Sequence, residues 1–156
     1  MDLQRVGKWQ WLTGLAGLVL LISLWLPWFG ALGFTANAWE TLSFIDLICA
    51  LTGLGAIALI VVTATQSAAA LPKRFAAIVM WLAIVAALLV LYRLLRPPEA
   101  DVTLTGGGSD VVRKVGVWIG LLAAIATAVF ARFSARDARF PGPLREHPQA
   151  ETLPPA

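Results

Sequence analysis

The sequence predicts an all-α integral membrane protein, a bundle of four membrane-spanning helices with both termini in the cytoplasm. Three observations support this prediction. The 156-residue chain is 59% hydrophobic and 13% charged, with a mean hydropathy of +0.79, whereas soluble domains are about half apolar and about a quarter charged. The apolar residues form four runs long enough to cross a bilayer, and the basic residues gather where these runs end. A soluble fold could not bury this much apolar surface.

The four apolar runs have the length of membrane spans. A helix rises about 1.5 Å per residue and the hydrocarbon core is about 30 Å thick, so a span needs about 20 mostly apolar residues. Backbone polar groups in lipid must be satisfied within the segment, and no run alternates as a barrel strand does, so each run is predicted to be helical. These spans, at about 9–29, 44–65, 75–95 and 115–133, form a transmembrane domain over residues 1–133.

The first span is predicted to close at Pro27 and Gly30, which disfavour a continuing helix. An alternative interpretation makes this segment a cleaved signal peptide, since Arg5 and Lys8 precede it and Ala36–Ala38 resembles a cleavage site. The run of roughly 20 apolar residues is long for a signal sequence, which favours a retained span.

The distribution of lysine and arginine predicts the orientation, because cytoplasmic segments are enriched in both. One side carries Arg5, Lys8, Lys73, Arg74, Arg132, Arg136, Arg139 and Arg145. The other side carries Arg93, Arg96, Arg113 and Lys114. Both termini are therefore predicted to be cytoplasmic. Residues 134–156 are polar and rich in proline, which is typical of a disordered cytoplasmic tail.

The aromatic residues divide into two predicted groups. Trp28 and Trp118 are among those placed near the membrane interfaces, where amphipathic rings settle at headgroup level. Trp25 and Trp81 lie deeper in their spans and are predicted to pack between helices.

The fourth span carries small residues at every fourth position along one stripe, namely Gly116, Gly120, Ala124 and Ala128. Small residues at this spacing let two helix backbones approach closely. Packing within the bundle and dimerisation would both produce such a stripe, and packing within the bundle is the favoured interpretation.

Charged residues inside a membrane are costly, and their positions therefore indicate function. The middle of each span has none, but Asp46 lies one turn into the second span and Arg93 one turn before the end of the third. With Glu40 and Arg96 they form a predicted polar cluster near the outer leaflet, able to bind a lipid headgroup, an ion or a partner. The favoured interpretation, however, is a structural ion pair with helix capping, in which Arg93 extends toward the headgroups.

Few residues could support enzymatic chemistry. The chain has one cysteine and one histidine, Cys49 and His147, so neither a disulfide framework nor a cysteine–histidine metal site can form within one chain. The histidine is predicted on the cytoplasmic side and the clustered carboxylates on the opposite side, so no Ser-His-Asp set is predicted to form on one side of the membrane. The sequence therefore predicts a protein that is not an enzyme and has no cofactor, metal or nucleic-acid partner.

Several short motifs resemble a group of small, uncharacterised four-span membrane proteins of actinobacteria. They are Leu26-Pro27-Trp28-Phe29, Ala38-Trp39-Glu40, Ile45-Asp46-Leu47, and Tyr92-Arg93-Leu94-Leu95 with Pro97-Pro98. The resemblance extends to about Arg132 and implies a location in the plasma membrane. It supplies no activity, because the group has none assigned.

These observations predict a non-enzymatic membrane protein that acts by interaction, as a homo-oligomer or an accessory subunit of an envelope complex. Apart from the lipid bilayer, its expected partner is a copy of itself or another membrane protein. A small transporter or channel with a polar site near the outer leaflet is the alternative. An enzyme that modifies lipids through Glu40 and Asp46 is the least favoured interpretation.

Overall fold

The computed structural model of the chain describes residues 6–31, 34–41, 44–65, 70–96 and 112–136. The chain is mostly helical, which confirms the main element of the predicted fold class. The helices are α1 (Lys8–Ser23), α2 (Ala38–Thr41), α3 (Phe44–Thr65), α4 (Ala70–Leu95) and α5 (Val115–Arg136).

Three helical segments are long and apolar enough to cross a membrane, Phe44–Thr65, Leu71–Leu95 and Val115–Arg136. They correspond to the predicted second, third and fourth spans. The third begins earlier than predicted, since α4 starts at Ala70, and the fourth ends later, since α5 continues to Arg136. Residues 134–136 of the predicted tail are therefore helical, and residues 137–156 lie outside the described residues.

The first predicted span differs in its last part. Helix α1 has 16 residues and ends at Ser23, so the prediction that the helix continues to Phe29 is wrong. The amides of Leu24, Trp25 and Leu26 each donate to the carbonyl three residues earlier, which tightens the helix into a closing turn. Pro27 has no N–H to continue the helix and disfavours helical backbone at the residue before it.

After this turn the chain enters a small antiparallel sheet that the sequence analysis did not predict. Its strands are β1 (Pro27–Ala31), β2 (Phe34–Asn37) and β3 (Val112–Arg113). Strand β1 lies in the middle, where Phe29 is paired with Ala36 on one side and with Arg113 on the other. The sheet therefore joins the segment after α1 to the segment before α5.

The four long helices pack in a ring: α1 contacts α3 and α5, and α4 contacts the same two helices. We call the end that carries the sheet, α2 and the start of α3 the sheet end. The opposite end, where the Trp9 ring stacks on Phe133 at 4.7 Å between centroids, is the termini end. The largest apolar core cluster includes Leu24, Trp28 and Phe29 beside the sheet, together with small residues such as Ala86 and Ala124.

Glycines let α1 and α3 approach closely. A Cβ built on Gly17 would lie against the Cβ of Ala56 and 2.9 Å from the Gly53 carbonyl oxygen. A Cβ on Gly53 would lie 2.6 Å from Cγ of Leu21. Real Cβ atoms do not approach other atoms this closely, so the two helices meet at a distance that only glycine permits at these positions.

Two tryptophans are exposed where packing between helices was predicted, and a third is buried. Trp28, predicted at an interface, is 0% exposed because β1 turns it back onto the bundle. Trp25 and Trp81, predicted to pack between helices, are 66% and 63% exposed. Trp25 lies in the closing turn of α1 and makes an edge-to-face contact with Trp39 at 5.7 Å between ring centroids.

Candidate functional site at the sheet end

The four residues of the predicted polar cluster all lie at the sheet end, but they are not equivalent. Asp46 lies in the first turn of α3 and Arg93 in the last turn of α4. Both therefore lie at the sheet end, and the positive charge of Arg93 acts on the Asp46 carboxylate. Glu40 is exposed on α2, and Arg96 is exposed just after α4. The centre of the candidate site is therefore Asp46 with Arg93.

Asp46 is a fully buried carboxylate, with 0% of the residue exposed. Neither of its oxygens accepts a hydrogen bond in the part of the chain that the structure describes. One turn further along α3 lies Cys49, which is also 0% exposed and belongs to the main apolar cluster. Burying an ionised carboxylate in such surroundings costs several kcal/mol unless a positive charge or hydrogen-bond donors compensate it.

Two features offset part of this cost. The first turn of a helix carries partial positive charge from its amides, which favours an acidic side chain there. Arg93 adds a full positive charge at the end of α4. Next to it, Arg113 Nε donates a 2.8 Å hydrogen bond to the Leu94 carbonyl, which ties β3 to the end of α4. The helix start and Arg93 therefore favour the charge of Asp46, although no described donor is bonded to it.

Glu40 has a local structural role. Its carboxylate oxygen Oε2 accepts a 3.0 Å hydrogen bond from the Asn37 amide, and its own amide donates a 3.1 Å hydrogen bond to Asn37 Oδ1. This reciprocal arrangement is a capping box, which satisfies otherwise unpaired amides at a helix start. It accounts for Glu40 at the beginning of α2 without any role in ligand binding.

The predicted small-residue stripe packs against Trp28 at its sheet end. A Cβ on Gly116 would lie 2.6 Å from Trp28 Cδ1, and one on Gly120 would lie 2.7 Å from Trp28 Cζ2. The indole Nε1 donates a 2.6 Å hydrogen bond to the Ser23 carbonyl, and the Lys114 amide donates a 2.8 Å hydrogen bond to the Trp28 carbonyl. Trp28 thus joins α1, the sheet and α5.

The remaining members of the stripe are Ala124, which is buried in the main cluster, and Ala128, which is half-buried. The first three members therefore lie inside the chain's own packing.

The termini end contains two buried polar groups that sequence reasoning missed. Gln10 is 2% exposed and Ser134 is 0% exposed, and the Gln10 Oε1 and Ser134 Oγ atoms have no hydrogen-bond partner within the described ranges. Both residues lie near the ends of apolar runs, where a polar residue is ordinarily assigned to the headgroup region. No signal in the sequence distinguishes them from such residues.

The chemistry that the described residues offer is electrostatic. In the described ranges no group of three or more histidine, cysteine, aspartate or glutamate side chains is placed to hold a metal ion. Cys49 is a buried free thiol, and His147 lies outside the described residues. A single buried carboxylate near a guanidinium group is suited to charge pairing or to binding a small cation.

Comparison with known proteins identifies no relative. The chain matches no protein-family model, and no curated protein or solved structure matches it significantly.

Proposed function

We propose that the chain crosses the plasma membrane four times, with both termini in the cytoplasm, and acts by interaction instead of catalysis. In this proposal it is a homo-oligomer or an accessory subunit of an envelope complex. The packing of the helix interior is the observation that supports it best.

The contacts of α1 support a fourth crossing, although this helix is shorter than the other three. Trp9 stacks on Phe133, and at the other end Leu26 Cβ lies 3.1 Å from the Cβ position of Gly116. Lys8–Leu26, which is α1 with its closing turn, therefore runs beside α5 over nearly its whole length. A segment that lies alongside a spanning helix from end to end traverses the same thickness of bilayer.

The charges at the two ends support the orientation. Among the described residues, Lys8, Lys73, Arg74, Arg132 and Arg136 lie at the termini end. The sheet end carries Arg93, Arg96, Arg113 and Lys114, but also the carboxylates Glu40 and Asp46. An excess of lysine and arginine marks the cytoplasmic side, so the termini end is assigned to the cytoplasm and the sheet to the outside.

The close helix contacts favour interaction over a passage through one chain. Gly17 and Gly53 lie so close to the neighbouring helix that a single Cβ would overlap with it. At Gly116 and Gly120 the Trp28 ring occupies the space that a Cβ would need. The interior along these two contacts is occupied by the chain itself. The surfaces left for a partner are the apolar sides and the sheet end with its exposed Trp25 and Trp39.

Photo-crosslinking in the membrane tests this proposal. A photoreactive residue at position 39 is expected to give one discrete protein adduct, either a dimer of the chain or a single larger complex. The same residue at position 81, which replaces the exposed Trp81 on α4, serves as a comparison for the lipid-facing side. A chain that forms only lipid adducts at both positions, and that is monomeric by native mass spectrometry from nanodiscs, contradicts the proposal.

The burial of Asp46 specifically favours the alternative, a small transporter or channel, because intramembrane charges often mark ion pathways. Flux measurements on proteoliposomes that contain the native chain, Asp46→Asn or Arg93→Gln discriminate between the two functions. A cation flux that is lost in Asp46→Asn supports the alternative, and the absence of flux for any ion or cationic drug removes it.

A further inference from the structure

The two carboxylates that the structure describes differ sharply in environment. Glu40 is exposed and accepts a hydrogen bond from the Asn37 amide, so its charge is solvated and bonded. Asp46 is 0% exposed, and neither oxygen is bonded to a described residue. Asp46 therefore differs from an ordinary capping residue, whose oxygens accept hydrogen bonds from backbone amides.

Apart from Asp46, the charged residues described at the sheet end are mostly positive. Helix α4 contributes Arg93, and β3 contributes Arg113, which is bonded to the Leu94 carbonyl. Lys114 follows at the start of α5, while α2 contributes Glu40. The charged residue that α1 contributes, Lys8, lies at the termini end, and on α3 the nearest titratable group is Cys49.

This arrangement selects among the cations that could neutralise the carboxylate. A multivalent metal requires several ligands, and the described residues supply no cluster of three or more. An alkali ion would keep its full charge close to Arg93 and would be repelled by it. A proton forms a covalent O–H bond at one oxygen and leaves a neutral group that is far less costly to bury.

We propose that Asp46 is a reversible proton-binding site at the sheet end of the bundle. The proton is taken from water outside the sheet and returned to it, with no change in oxidation state. In the ionised form the carboxylate attracts Arg93 and draws the ends of α3 and α4 together, and in the protonated form this attraction is lost. The site goes beyond the proposed interaction function and does not require that a proton crosses the membrane.

A hydrophobic carbodiimide tests the site, because it reacts with protonated carboxyl groups in apolar surroundings. The full-length protein in nanodiscs is treated with dicyclohexylcarbodiimide over a series of pH values, and the modified residue is located by mass spectrometry. We expect the label on Asp46, a labelled fraction that falls as the pH rises, and complete loss of this label in Asp46→Asn. The solvent-exposed Glu40 serves as the internal comparison and is expected to remain unlabelled.

Labelling of the Arg93→Gln variant distinguishes proton binding by Asp46 from a purely structural role of its carboxylate. The positive charge of Arg93 favours ionised Asp46, so its removal is expected to extend labelling to higher pH while the helical content measured by circular dichroism stays unchanged. Infrared spectroscopy of the protonated carboxyl band, which should be absent in Asp46→Asn, provides the second measurement and does not depend on access of the reagent.

Three results would overturn the proposal. The first is labelling of Asp46 that does not change with pH. The second is protection of Asp46 by sodium at constant pH, which would identify an alkali-ion site instead. The third is a combination of two negative results: the native chain and Asp46→Asn have the same infrared carboxyl band, and the carbodiimide labels neither protein. A failure of the crosslinking experiment would leave this inference intact, because proton binding requires no partner.

Discussion

Replacing Trp28 with alanine is expected to lower the free energy of unfolding by about 3–5 kcal/mol, the usual cost of truncating a fully buried aromatic residue. Trp28 is 0% exposed, and its ring fills the space left by Gly116 and Gly120. Truncation would open a cavity there and remove the hydrogen bond to the Ser23 carbonyl. The loss is to be measured by reversible unfolding of the protein in lipid–detergent mixtures.

Trp118→Ala is the matched control for this prediction. Trp118 lies on α5, as do the two glycines, but it is 50% exposed, and exposed substitutions ordinarily change stability by about 0.5 kcal/mol or less. Equal losses in Trp28→Ala and Trp118→Ala would show that Trp28 has no special role in joining α1, the sheet and α5.

Replacing Gly17 with alanine is expected to destabilise the protein by about 1–3 kcal/mol, as overpacking of a tight interior does. The added methyl group would meet the Ala56 Cβ and the Gly53 carbonyl oxygen, and neither of these atoms can move without shifting a helix backbone. Alanine also stabilises a helix by about 1 kcal/mol relative to glycine, which acts against this loss. A net loss of stability is therefore a direct measure of the close approach of α1 and α3.

Gly55→Ala is the control, because Gly55 lies on α3 but faces Val79 of α4 and not the contact with α1. Its Cβ would lie 3.4 Å from the nearest Val79 methyl carbon, which is close to an ordinary contact. The gain in helix propensity should then appear, and the variant is expected to be as stable as the native chain or more stable. If Gly17→Ala is also neutral in the same unfolding assay, the two helices do not meet as described.

Hydropathy predicted the positions of α3, α4 and α5 because the length of an apolar run alone determines a span. It could not predict the end of α1, since the residues from Leu24 to Phe29 are as apolar as the helix before them. The pairing of Phe29 with Arg113 could not be predicted either, because it joins residues far apart in sequence through strands too short to show a pattern.

The candidate site was predictable to a similar degree. Asp46 and Arg93 were placed at similar depth from their distances to the span ends, and the structure has Asp46 in the first turn of α3 and Arg93 in the last turn of α4. Glu40 was grouped with them by sequence proximity, but its own capping box holds it at α2. The stripe of small residues indicated close packing. It could not identify Trp28 as the residue packed against it, because Trp28 reaches the stripe only through the chain reversal at β1, which no sequence periodicity reveals.

The central claim, four crossings with the sheet on the outer side, is tested most directly by the accessibility of single cysteines. In a Cys49→Ser background, single cysteines replace the exposed residues Lys8, Thr35 and Arg74, and intact cells are treated with a membrane-impermeant maleimide. We expect Thr35→Cys to be labelled in intact cells, and Lys8→Cys and Arg74→Cys only after permeabilisation. Labelling of Lys8→Cys and Thr35→Cys from the same side of the membrane would contradict a crossing by α1.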